Sequence, residues 1–129
     1  MASTPAELLP AYVKAFETLD PTALVPFYHL PCLFLAPGYQ GVVAEPAQAQ
    51  AVVAYLMDQA RAQGFRRSEI HDLEVVPLSA DLARLTCSYV RFDGEGAEVA
   101  RFGSTYLARC VAGVWGIAAA VAHDPLTGA

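Results

Sequence analysis

The chain has 129 residues, 55% of them hydrophobic and 16% charged, with a formal charge of −5. That is the length of one domain, 1–129, and the apolar content excludes a disordered chain. Eight basic residues without a stripe exclude phosphate-backbone recognition, so no nucleic-acid partner is expected; no apolar run of about 18 residues free of charge and proline exists to cross a membrane.

The opening stretch from Met1 to Glu7 has neither a basic nor an apolar leader segment, which predicts a cytoplasmic protein. A first helix is predicted from Pro5 to Leu19. Leu8, Tyr12 and Phe16 recur at helical spacing, with Leu9 and Val13 beside them, and form one apolar stripe. Asp20-Pro21 reads as a cap and first-turn proline of a short second helix, Thr22 to Tyr28, which Pro26 and Pro31 keep short. Cys32 to Ala36 is an apolar run closed by Pro37-Gly38, hence a strand and a turn, and Tyr39 to Ala44 is a second extended piece. Glu45-Pro46 opens a third helix that Gly64 stops. Its apolar positions are Ala49, Val52, Val53, Leu56, Met57 and Ala60.

Beyond Gly64 the period becomes two. Arg67 to Leu78, Leu82 to Asp93, Ala97 to Cys110 and Val114 to His123 are predicted strands, joined by turn-like Ser79-Ala80-Asp81, Gly94-Glu95-Gly96 and Ala112-Gly113. Short loops make successive strands antiparallel. Helices followed by a meander are an α+β pattern. To bury both the helix stripe and its own apolar face, the sheet must curl around the first helix into a cone.

The run from Tyr12 to Leu24, the Phe27-Tyr28 pair, the Gly41 to Glu45 entry to the third helix and the closing Gly113 to Ile117 resemble the nuclear transport factor 2-like superfamily. Within it, the branch in question holds ketosteroid isomerase and the polyketide-cyclase (SnoaL-like) domains. The resemblance covers nearly the whole chain and implies a cone-shaped, cystatin-like α+β barrel, three N-terminal helices on a strongly curved antiparallel sheet, and a dimer through the sheet. It says little about chemistry, because the fold hosts many activities. It puts Tyr12 at the isomerase's oxyanion-hole tyrosine and Tyr55 at a supporting tyrosine. The general-base position falls on Ala36, and the strand from Ser104 to Tyr106 lacks the second acid, so steroid-type isomerisation is not expected.

Alternation on the Ala97 to Cys110 strand predicts Phe102, Ser104, Tyr106, Ala108 and Cys110 inward. Thr86, Ser88 and Val90 are taken as the matching face of the strand before, and Ala118, Ala120 and Ala122 of the last strand. The candidate ligand-binding set is therefore Tyr12, Phe16, Tyr55, Ser88, Phe102, Ser104 and Tyr106, an apolar surface with a few hydroxyls. The same residues also fit a filled core whose hydroxyls bond to backbone or water. His71, in register with Leu73 and Val75, is the candidate general base if that face points inward. The opposite face, Ile70 and Val76, fits nearly as well and would bring Asp72 and Glu74 to the pocket. His29 reads as structural and His123 as a cap.

The histidines His29, His71 and His123 lack ligand spacing, and no phosphate-cradling loop is present, so neither metal nor cofactor is expected. Cys32, Cys87 and Cys110 read as buried, reduced thiols, with a Cys87–Cys110 bond left open. Three functions follow: a small homodimer binding a small apolar molecule; a cofactor-free isomerase, cyclase or hydrolase using His71 or a pocket tyrosine; or an interaction module with a filled core. The outer face for dimerisation is taken as Leu85, Cys87, Tyr89 and Leu107.

Overall fold

The computed structural model describes residues 2–125. Helix α1 (Pro5–Glu17) starts where Glu7 accepts hydrogen bonds from the backbone N–H groups of Thr4 at 3.0 Å and Ser3 at 3.2 Å, closing its first turn. Its buried stripe is Leu8, Leu9, Tyr12 and Phe16, as the spacing predicts. Asp20 caps α2 (Pro21–Leu24) by accepting from the Thr22 N–H at 3.0 Å; a single 3-10 turn then carries the chain into a strand earlier than predicted. Helix α3 (Pro46–Ala62) has Gln48 accepting from the Ala44 and Glu45 N–H groups, and it ends at Gly64, whose φ of +81° suits a residue without Cβ.

The six strands are β1 (Tyr28–Ala36), β2 (Tyr39–Val43), β3 (Phe65–Ser79), β4 (Leu82–Asp93), β5 (Glu98–Val111) and β6 (Val114–His123). They form one sheet in the order β2-β1-β6-β5-β4-β3. The β3–β6 meander is antiparallel, as its short turns require. The sheet as a whole is mixed, not antiparallel, because β1 pairs parallel with β6. That pairing crosses the long connection through α3 and the meander, so no hairpin dictates its direction.

Bulges bend the long strands and change which residues face inward. Near the β4–β5 turn Phe92 pairs with Glu98, but the next pair is Arg91 with Ala100, so Val99 is an extra residue. In β3, Asp72 and Leu73 sit opposite Cys87 alone, between the His71–Ser88 and Glu74–Thr86 pairs, and Asp72 has a φ of +56°. In β6, Ala118 is extra, between the pairs Leu107–Ala119 and Ala108–Ile117. Each insertion kinks its strand and reverses side-chain parity beyond it. The curved sheet wraps the helices around a core that includes Leu8, Leu9, Leu24, Met57, Phe65, Leu85 and Ile117. Each such side chain contributes roughly 1.5–3 kcal/mol by leaving water.

The β4 assignment is corrected by the first bulge. Tyr89 pairs with Phe102 and Cys87 with Ser104, so Leu85, Cys87 and Tyr89 face inward and join the core. Thr86, Ser88 and Val90 take the outer face, with Arg84, whose guanidinium reaches Glu74 at 3.0 Å. The dimer face expected from Leu85, Cys87 and Tyr89 is therefore not on the surface; only Leu107 of that set is exposed.

Candidate functional site

Between the helices and the concave face of the sheet lies an open cavity of about 700 Å³. Helix α1 supplies Tyr12, Val13 and Phe16; α3 supplies Val52, Tyr55, Leu56 and Gln59; the sheet supplies Phe34, Tyr89, Arg91, Phe102, Ser104 and Tyr106. Ala120 and Ala122 of β6 lie opposite Tyr106 and Ser104 in the pairing register, and their small side chains leave the space open. The core is thus not filled at this end of the cone.

Of the predicted ligand-binding set, Tyr12, Phe16, Tyr55, Phe102, Ser104 and Tyr106 come together on this cavity. Tyr55 is 62% exposed, which puts it at the mouth. Ser88 does not join them: it pairs with Gly103 and His71 on the outer face. His71 is on that outer face as well. Its side chain is 48% exposed, and its Nε2 lies 3.1 Å from a Glu69 carboxylate oxygen. The expectation that His71 points inward is corrected by the β3 register. Ile70 faces inward opposite Tyr89 and, past the bulge, Val75 faces inward opposite Leu85, so neither simple alternation holds along the strand. Val76 faces out opposite Arg84. Ala36 lines the cavity and brings a methyl group where the resemblance places a base.

Four buried phenols form two bonded pairs. The Tyr12 and Tyr28 hydroxyls are 2.5 Å apart, and those of Tyr89 and Tyr106 are 2.9 Å apart. The rings of Tyr12 and Tyr106 meet edge to face at 6.0 Å, linking the pairs. Burial pushes Tyr12 up to about 12, and it raises Tyr28, Tyr89 and Tyr106 as well. These groups are therefore neutral near pH 7 and can donate hydrogen bonds, but do not act as bases. Cys32 and Cys87 are pushed up by burial to about 12 and about 11, so both are inert thiols, and all three cysteines are unbonded.

Sequence reasoning missed Arg91, the only charged side chain on the cavity wall among the described residues. Its guanidinium carbon lies 4.8 Å from the Phe16 ring centre, 5.2 Å from Phe65 and 4.8 Å from Phe102. Among the described residues it forms no ion pair; the pairs present join other, exposed side chains. Its buried Nε has no hydrogen-bond partner. Desolvation lowers its pKa, yet an arginine stays charged at neutral pH. The signal that would have found it is the β5 bulge, since an unbroken register turns Arg91 outward. Among the described residues no three His, Cys, Asp or Glu side chains cluster as a metal site would require.

A curved sheet closed by helices is the NTF2-like, cystatin-like arrangement. The chain belongs to the family of the NTF2-like protein (DUF6841), whose model matches residues 6–125. Solved structures agree on the fold. A protein of unknown function with a cystatin-like fold from Nostoc punctiforme superposes with a TM-score of 0.75 at 12% identity, covering 95% of this chain and 90% of that one. An NTF2-like protein from Novosphingobium aromaticivorans gives 0.73 at 17% identity, over 95% and 80%. A ketosteroid isomerase-like protein from Erwinia carotovora atroseptica gives 0.68 at 21% identity, over 95% and 93%. No curated protein matches the sequence.

Proposed function

We propose that this protein binds a small, mostly apolar molecule in the cavity between α1, α3 and the concave sheet face. The observation that carries this reading is the open space of about 700 Å³ walled by aromatic and aliphatic side chains with a few hydroxyl groups. Its size lies within the usual range for small-molecule sites, roughly 300–1,000 Å³. Binding is favoured over proton abstraction by the lining itself: His71 lies outside, the wall includes no carboxylate or imidazole among the described residues, and the phenols stay protonated. The phenols could still polarise a carbonyl oxygen, which leaves a tyrosine-dependent reaction as the form of an enzymatic reading that this geometry favours.

The working unit in this proposal is a homodimer through the outer sheet face, where Leu107 and Leu33 flank Ala119 and are 39% and 36% exposed. A cytoplasmic location is supported by the unbonded thiols. Leu107→Glu should convert the dimer to a monomer in sedimentation equilibrium; a wild-type monomer would remove this part of the proposal.

Binding is tested by calorimetric titration with 2-naphthylethanol, a neutral apolar probe, against wild type and Ala120→Phe. Ala120 sits on the cavity wall opposite Tyr106, so the larger ring fills the space. Saturable binding by wild type and none by a folded Ala120→Phe supports the proposal. No binding by wild type, or equal binding by both, refutes it.

A further inference from the structure

Arg91 is out of place in a wall built for apolar contact. It projects from β4 among Phe16, Phe65 and Phe102, which hold the guanidinium by cation–π attraction. Ser68, its partner across β3, has its own backbone N–H bonded to the Glu17 carboxylate at 2.9 Å, and Glu17 makes no ion pair with Arg91. The buried Nε is sealed without a partner, and among the described residues neither terminal nitrogen has a protein hydrogen bond. What Arg91 brings to the cavity wall is therefore a pair of terminal amino groups without a protein partner among the described residues.

That pair matches the two oxygens of a carboxylate, which an arginine can grip in a fork. Among the described residues Arg91 is the only cation on the wall, so the site balances one negative charge and does not suit a doubly charged phosphate. Taking the ligand-binding reading above as given, we propose that the ligand is an amphiphilic monocarboxylate. Its apolar body packs on the rings of Tyr12 and Phe102, its carboxylate lies on the edge of Arg91, and the phenols and Ser104 are available to any further oxygen.

The test compares 2-naphthylacetate with 2-naphthylacetamide, a neutral molecule of nearly the same shape, by isothermal titration calorimetry. Wild type should bind the acetate at least about tenfold more tightly, as expected for a charge-assisted hydrogen-bonded pair. Arg91→Met should erase the preference, the acetate losing at least about tenfold more affinity than the amide. Arg91→Lys should keep part of it, as a point charge without the fork. Equal affinities in wild type, or an unchanged preference in Arg91→Met, would overturn the carboxylate assignment and leave the cavity reading standing. Failure of both probes to bind wild type would overturn both readings. The wild-type comparison needs no variant, so a variant that fails to fold does not remove the test.

Discussion

Arg91→Met should hold or raise stability, although it deletes a side chain that touches three aromatic rings. The contributions can be set against each other. The buried Nε without a partner costs about 1–3 kcal/mol. The three cation–π contacts together return roughly 1–2 kcal/mol, since they share one guanidinium. Methionine restores most of the packing on Phe16, Phe65 and Phe102 and adds sulfur–aromatic contacts of about 0.3–1.5 kcal/mol. The balance runs from about −0.7 to about +3.5 kcal/mol, or about −3 to +14 °C in Tm for a domain of this size. Differential scanning calorimetry at pH 7 without ligand is the assay. A fall of about 5 °C or more would refute the reasoning, because it would show that the guanidinium is well satisfied in the fold and is not held ready for a ligand.

Alkaline pH should destabilise the protein through its buried phenols. Tyr12 is raised to about 12 and Tyr28, Tyr89 and Tyr106 are raised too, so the folded form holds protons that the unfolded chain begins to lose near pH 10. Their stabilising effect is complete below about pH 10 and is lost as pH rises through the folded values; urea midpoints that stay flat from pH 9 to 11.5 would contradict this. Tyr106→Phe should cost about 1 kcal/mol by leaving the Tyr89 hydroxyl without its partner, seen as a lower urea midpoint at unchanged slope. It should also reduce the thermal stabilisation given by a bound probe, and an undiminished shift would remove that hydroxyl from the site. His71→Ala should leave probe binding unchanged and move stability by less than about 0.5 kcal/mol, since the half-exposed ring meets only the Glu69 carboxylate at the surface.

Helical spacing and caps made the helices legible: the α1 stripe, Asp20, and Gly64 lie where the pattern puts them. The β4 and β6 boundaries and the inward face of β5 through Phe102, Ser104 and Tyr106 were equally readable. Side-chain parity across the sheet was not. A single extra residue, Val99, moves Tyr89 and Arg91 into the cavity and Ser88 out of it. The Asp72-Leu73 bulge does the same within β3, so that Ile70 and Val75 both face inward despite their odd separation. Bulges depend on how two strands settle against the core, and period-two patterns in either strand alone do not encode them. The tyrosine partners followed the same logic, since Tyr28 and Tyr89 become neighbours of Tyr12 and Tyr106 only through the sheet register.

The open cavity as a binding site is tested most directly by a crystal structure of the wild-type protein soaked with 2-naphthylacetate. The account predicts the naphthyl ring against Tyr12 and Phe102, with both carboxylate oxygens about 2.7–2.9 Å from the terminal nitrogens of Arg91. A cavity closed by its own side chains, or a probe bound only on the outer surface, would contradict it.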